Sequence, residues 1–159
     1  MILNHQRAVR LARRPLEHFL RRLQRELGLQ ESGVTIALVS DAEIARMNET
    51  FRKKNGPTDV LSFPAAGGRR PGRPASPTRS GQAPGVPYKK GKAGEFLGDI
   101  AIAPATARRY ARKHGRTLPG ELRVLILHGV LHLMGYDHET DRGEMDRVER
   151  KLRKRFGLA

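Results

Sequence analysis

The sequence predicts an α+β fold in which a small mixed β-sheet is packed by about five helices. Short strand-like runs are interspersed with apolar stripes at helical spacing, without a regular βαβ rhythm. One stretch, residues 124–134, is apolar apart from two histidines, so it predicts a central buried helix that carries both. The length of 159 residues fits a single domain, 1–159.

The first half of the chain predicts strands and two helices. Residues 2–11 are a strand candidate with poor alternation, and 34–39 (VTIALV) are rich in β-branched residues. Between Pro15 and Gly28, leucines at helical spacing predict an amphipathic helix. A second helix begins at a capping box and carries an apolar stripe; these residues are Ser40 with Glu43, then Ile44, Met47 and Phe51.

The second half predicts two strands and three helices. The runs DVLSFP (59–64) and LGDIAIA (97–103) are each closed by proline, and we expect them to share one sheet. Pro104 begins a helix toward His114, and Pro119 begins another that reaches Met134. A last helix has the apolar stripe Met145, Val148, Leu152 and Phe156.

A basic segment, residues 66–94, separates the two strand-like runs. From residue 67 onward it has seven basic residues, no acidic ones and almost no apolar side chains. Burial cannot offset the ordering entropy of such a segment, so we predict a disordered loop inserted between two strands. It serves either as a solvated linker or as an arm that contacts phosphates.

The charge of the chain favours a nucleic-acid partner. There are 31 Lys and Arg against 16 Asp and Glu, a formal net charge of +15. Anionic membranes are disfavoured because there is no lipidation motif and no free amphipathic basic anchor. The absence of cysteine excludes disulfides and thiolate metal sites. With no apolar signal-peptide core or membrane span in view, we expect a soluble cytoplasmic protein.

Three of the six histidines lie in the segment HGVLHLMGYDH, residues 128–138. His128 and His132 are four residues apart and share one helix face, so both can reach one ion. Gly135 can adopt the left-handed conformation that ends a helix, which lets His138 return to the same ion. Three imidazoles around Zn²⁺ leave a fourth position for water, the pattern of a catalytic site. The sequence therefore predicts one zinc ion per chain.

A histidine on an apolar face is more often a satisfied core residue than a ligand. We assign an ordinary core or surface role to His5, His18 and His114, which have no partners nearby in sequence. The two histidines of the buried helix differ, because burying two unpaired imidazoles is costly and a metal removes that cost.

The same histidine spacing is similar to that of the metzincin proteases, which have Glu directly after the first histidine. Gly129 stands there, so the carboxylate that activates water for peptide hydrolysis is absent. A metzincin-like metallopeptidase is therefore the alternative.

Three blocks in order resemble the YbeY family of bacterial rRNA maturation factors: HGVLHLMGYDH, MNETFRKKNGPTDVLSFP (47–64) and LGDIAIA. Met134 stands where the family usually has Leu, a volume-conserving change, and the basic insertion is longer than the usual connection. The resemblance implies zinc at His128, His132 and His138 and a functional role for Arg52. It also implies a single-strand endoribonuclease that acts in small-subunit rRNA 3′-end processing and ribosome quality control, with RNA and the small ribosomal subunit as partners.

Phosphoryl transfer requires stabilisation of negative charge, and Arg52 is the candidate for that role. Lys53 and Lys54 are interpreted as a solvated basic face. Asp137 either orients a ligand imidazole or fixes the turn. Cleft lining and local hydrogen bonding are equally open for Thr58, Asp59 and Ser62.

A third possibility is a non-catalytic ribosome-assembly factor in which zinc only stabilises the fold. Structural zinc sites usually have four protein ligands, and only three are evident here, which favours catalysis. A carboxylate such as Asp137 or Asp141 is the candidate for a fourth.

Overall fold

The computed structural model describes residues 1–65 and 96–158, and the basic segment predicted at 66–94 lies outside them. The predicted α+β class is confirmed, with a four-stranded mixed sheet and five α-helices in the described part. The elements in chain order are β1 (Ile2–Asn4), α1 (Arg13–Glu26), β2 (Val34–Leu38), α2 (Asp41–Arg52), β3 (Val60–Pro64), β4 (Gly98–Ile102), α3 (Pro104–Lys113), α4 (Leu118–Leu133) and α5 (Glu144–Phe156).

The sheet has the strand order β1-β2-β4-β3. Its first three strands are parallel, and β3 is antiparallel at one edge. The expectation that DVLSFP and LGDIAIA share a sheet is confirmed, since Leu61 pairs with Ala101 and Ser62 with Ile100. The N-terminal strand is shorter than the predicted 2–11, because the Gln6 side chain closes a turn through two hydrogen bonds of 2.9 Å to the backbone of Val9.

Alternation along the strands divides the interior into two cores. Ile36, Ile100 and Ile102 belong to the large core, which α1, α4 and α5 share. Leu61 and Ala101 face the other way and form a small core with Ile44 of α2. The sheet is therefore covered on both faces, with α2 opposite α4.

The stripe predicted for α2 is only partly buried. Ile44 is fully buried and Met47 half-buried, whereas 49% of Phe51 is exposed. The small core ends at Met47 and Phe63, so Phe51, in the last turn of α2, meets only the edge of this core through the Phe63 ring. The predicted cap is present: the Ser40 hydroxyl accepts a hydrogen bond of 3.2 Å from the Glu43 N–H.

Helix α4 is buried for most of its length, as its apolar sequence predicted. It packs so closely on β4 that a Cβ atom at Gly129 would lie 2.9 Å from Cδ1 of Ile100. Any larger residue here would have to displace the Ile100 side chain, so glycine permits the close approach of the helix to the sheet. The position after His128 faces the sheet, where a carboxylate would be buried against Ile100.

Among the helices described, none is both long and apolar enough to cross a membrane.

Candidate metal centre

His128 and His132 lie on successive turns of α4 and converge on one point. Their ring centroids are 4.6 Å apart, and their Nε2 atoms are 3.0 Å apart. Both side chains are half-buried.

His138 reaches the same point from the turn that follows α4. Gly135 has a φ of 96°, and its N–H donates to the His132 carbonyl at 3.0 Å, which ends the helix. The exposed His138 ring then lies 5.5 Å from that of His128 and 5.2 Å from that of His132, between centroids. Each histidine offers one ligand atom, and these atoms lie within 4.8 Å of one another. The structure thus brings together all three predicted ligands.

The second ring nitrogens of the two helical histidines are held by acceptors. His128 Nδ1 is 2.9 Å from Glu149 Oε2, and His132 Nδ1 is 2.9 Å from the Tyr136 carbonyl. A carboxylate and a carbonyl only accept, so each Nδ1 carries its ring's proton and donates it. When both rings are neutral, as metal binding requires, each has its one N–H at Nδ1, and both Nε2 atoms have a lone pair free for the same ion.

This arrangement fits a divalent transition metal. The two Nε2 atoms lie 3.0 Å apart, so a proton or a metal ion is needed between them to offset the repulsion of their lone pairs. Nitrogens about 2.0–2.1 Å from a tetrahedral zinc ion lie about 3.4 Å apart, a spacing close to the one observed. Imidazole ligands without sulfur suit zinc, copper, iron or nickel.

Burial keeps His132 in the state that binds a metal. Its pKa is lowered to about 4, first by burial and then by the neighbouring charges of His128 and His138. The ring is therefore neutral at pH 7, and Nε2 has a lone pair available for an ion.

Glu149 of α5 is a site residue that the sequence analysis missed. Its side chain is 10% exposed and lies between His128 and Arg153, which donates to its other oxygen, Oε1. Burial alone would raise the Glu149 pKa, but the hydrogen bonds and charges of His128 and Arg153 lower it below the ordinary value. The available signal was a charged residue on the apolar face that Met145 and Leu152 share.

Asp137 and Asp141 hold the turn between α4 and α5. The Asp137 carboxylate accepts from the Glu139 N–H at 3.0 Å and from the Thr140 hydroxyl at 3.1 Å. Asp141 accepts from the N–H groups of Gly143 and Met145, each at 2.8 Å. These contacts match the turn-fixing role considered for Asp137, while Glu149 and the Tyr136 carbonyl contact the ligand rings.

Arg52 ends α2 on the side of the metal centre. Its Nη2 lies 3.9 Å from Oε1 of Glu139, the residue after His138, and the two side chains are 44% and 64% exposed. An exposed pair at this distance is weak, so the guanidinium is available to an incoming anion.

The remaining cleft candidates make local contacts. Ser62 donates to the Gly129 carbonyl at 3.4 Å, which ties β3 to α4, and Thr58 donates to Asp59 at 3.4 Å.

Comparison with known proteins identifies one family. The family model described as Endoribonuclease YbeY matches residues 2–157. A protein named Endoribonuclease YbeY from Solibacter usitatus (strain Ellin6076) is 42% identical over 153 residues, 96% of this chain and 85% of that protein. Its namesake from Koribacter versatilis (strain Ellin345) is 37% identical over 158 residues, 99% of this chain and 86% of that protein.

The fold is also similar to a solution structure of a Thermotoga maritima protein. The TM-score is 0.55 at 24% identity, and the match covers 99% of this chain and 90% of that one. At this identity the likeness supports the fold alone.

Replacing Glu149 with Gln should weaken metal binding while preserving the size and shape of the side chain. The amide has no negative charge and can turn an N–H toward His128 Nδ1, which disfavours the tautomer that binds metal. We expect zinc affinity to fall about 10- to 100-fold in competition with a chromogenic chelator. Glu144→Gln, an exposed glutamate at the start of the same helix, is the matched control. Equal affinities in folded Glu149→Gln and native protein would show that Glu149 does not orient His128.

The metal-free protein should lose stability as the pH falls from 6.5 toward 4. The His132 pKa rises from about 4 in the folded state to 6.5 in the unfolded chain, so the unfolded state binds more protons between these values. The free energy of unfolding therefore increases with pH across this window, by up to about 1.4 kcal/mol per pH unit for one proton. Urea unfolding of chelator-treated protein at several pH values measures the slope. His132→Gln should reduce it, and an unchanged slope contradicts the assignment.

Proposed function

The chain belongs to the endoribonuclease YbeY family, and on that premise we propose that it is a zinc-dependent endoribonuclease that cuts single-stranded RNA. The observation that carries the proposal is the centre formed by His128, His132 and His138, in which two Nε2 lone pairs converge. We place its activity in small-subunit rRNA 3′-end processing and ribosome quality control in the cytoplasm, with rRNA and the small ribosomal subunit as partners.

The charge of the molecule supports an RNA substrate. The formal net charge of +15 attracts a phosphate backbone. The exposed Arg52 lies 3.9 Å from Glu139, the residue after His138, where it can meet a phosphate. A basic molecule with a cation next to its metal centre fits a polyanionic substrate better than a neutral peptide.

In the proposed mechanism His128, His132 and His138 hold the zinc ion. When bound, zinc supplies Lewis acidity to a phosphodiester. Glu149 and the Tyr136 carbonyl hold the protons on Nδ1 of His128 and His132 and so orient both rings. Arg52 leaves its weak contact with Glu139 and donates two N–H bonds to the phosphate, where it stabilises negative charge that grows during cleavage.

The peptidase alternative conflicts with the packing of α4. A metzincin needs its catalytic glutamate at position 129, which here lies against Ile100 and cannot accept even a Cβ without displacement. No carboxylate can act on a substrate from that position.

The non-catalytic alternative requires a fourth protein ligand. The two candidates, Asp137 and Asp141, use their carboxylates to hold the turn and to begin α5. The group of potential ligands found in the described residues has three members. A centre with three ligands favours catalysis over a purely structural ion.

The proposed activity is tested by giving the zinc-loaded protein a single-stranded rRNA fragment, its duplex and casein. We expect only the single strand to be cut. His132→Ala should lose both zinc and cleavage, because one ligand is missing, while His18→Ala, an exposed histidine outside the centre, should retain both. Casein hydrolysis would support the peptidase, and RNA binding without cleavage by the native protein would support the assembly factor.

Replacing Arg52 with Ala should slow cleavage without affecting the fold. Zinc content and melting temperature should stay nearly unchanged, because the side chain is exposed and weakly paired. The single-turnover rate should fall by a factor on the order of 10² or more, with a modest change in affinity. Arg52→Lys should restore little of the cleavage rate, since an ammonium group cannot form the same two hydrogen bonds to a phosphate. Arg46→Ala, an exposed arginine of the same helix, is the control, and equal rates for native and Arg52→Ala protein would contradict the role.

A further inference from the structure

The C-terminus of α2 contains a backbone outlier. Lys53, with a φ of 55°, is the only non-glycine residue with positive φ in the part of the chain that the structure describes. The other four α-helices in that part are followed by a left-handed glycine, namely Gly28, Gly115, Gly135 and Gly157. A side chain makes this conformation unfavourable, and glycine avoids that cost. A lysine at such a position carries a conformational cost that glycine would not, and outliers of this kind cluster at functional sites.

The residues around Lys53 form an exposed aromatic and basic surface. The α2 tip consists of Phe51, Arg52, Lys53 and Lys54, all of them exposed. Phe51 packs edge-to-face on Phe63, with 5.0 Å between centroids, yet 49% of it remains open to solvent. Proteins that bind single-stranded nucleic acid use this combination, because bases stack on aromatic rings and phosphates pair with cations.

Hydrogen bonds to the backbone of α2 and of the following loop keep the α2 tip ordered. The N–H groups of Lys53 and Lys54 donate to the carbonyls of Glu49 and Asn48 at 3.1 and 3.3 Å. The buried Asn48 side chain donates to the Gly56 carbonyl at 3.0 Å, which fixes the chain beyond the tip. The cations are therefore presented on an ordered turn, which reduces the entropy lost on binding.

A contact of Arg52 places the tip beside the turn that carries His138. Arg52 reaches Glu139, which follows His138. A strand bound at the three histidines therefore has the tip as its neighbour.

We propose that the α2 tip is a subsite for a nucleotide that flanks the cleaved bond of single-stranded RNA. Phe51 stacks on the base, and Lys53 and Lys54 pair with the adjoining phosphates. The inference rests on the proposed function and deepens it, because it assigns substrate contacts outside the metal ligands and Arg52.

The decisive variant is Lys53→Gly, which separates binding from stability. Glycine relieves the left-handed strain, so the melting temperature should rise by about 2–4 °C. The lost phosphate contact should lower affinity for a short single-stranded 2′-O-methyl RNA and reduce the slope of log affinity against log salt by about 0.7. Lys151→Gln, an exposed lysine of α5, controls for net charge and should leave the slope unchanged.

The stacking contact is tested by Phe51→Leu, which keeps an apolar side chain without a ring. Affinity should fall about fivefold or more while the salt slope stays the same. With 2-aminopurine placed at each position of the oligonucleotide in turn, one position should show quenching by the native protein and lose it in the variant. Tyr110→Leu, an exposed ring on α3 with 41% exposure, is the control for a general effect of surface aromatics.

The outcomes distinguish this inference from the proposed function. If the native protein cuts single-stranded RNA and both tip variants bind like it, the subsite is wrong and the activity stands. If the native protein binds without cutting but the tip variants bind weakly as described, the activity is wrong and the tip stands as a binding site for single-stranded RNA. A loss of affinity that is equal in tip and control variants also overturns the subsite.

Discussion

The convergence of two imidazole Nε2 atoms to 3.0 Å is the constraint on which the rest of the structure depends. Two nitrogens this close need a proton or a metal ion between them, and the neighbouring elements hold both rings in that position. Close packing at Gly129 keeps α4 against β4, α5 supplies Glu149 to one ring, and the turn at Gly135 brings the Tyr136 carbonyl to the other. The fold thus fixes tautomer and orientation before any ion binds, which lowers the cost of assembling the centre.

The charged groups around this centre are arranged in order of burial. Glu149 is deepest, and hydrogen bonds from His128 and Arg153 compensate its burial and lower its pKa. His138 and Arg52 lie at the surface, where they can meet a substrate. A buried hydrogen-bond network keeps the metal ligands fixed. An exposed cation at the surface suits a site that binds a large polyanion.

The metal ligands were predictable because they depend on local geometry. Helical periodicity sets the relation of His128 to His132, and one glycine turn returns His138. Glu149 was not predictable in the same way, because its contact with His128 depends on how α5 packs against α4. The strand order β1-β2-β4-β3 is likewise tertiary, although the prolines and β-branched runs located most strands. Phe51 continued the apolar spacing of α2 but lies beyond the small core, since periodicity shows which face is apolar and not where the supporting sheet ends.

The central claim is that three histidine side chains and no other protein group hold one zinc ion. X-ray absorption spectroscopy of the zinc-loaded native protein tests it most directly, because it counts imidazole ligands and light-atom ligands around the metal. We predict three imidazoles at about 2.0–2.1 Å and one further oxygen that a small anion replaces. A shell of four protein ligands that no added anion alters, or fewer than three imidazoles, would contradict the account.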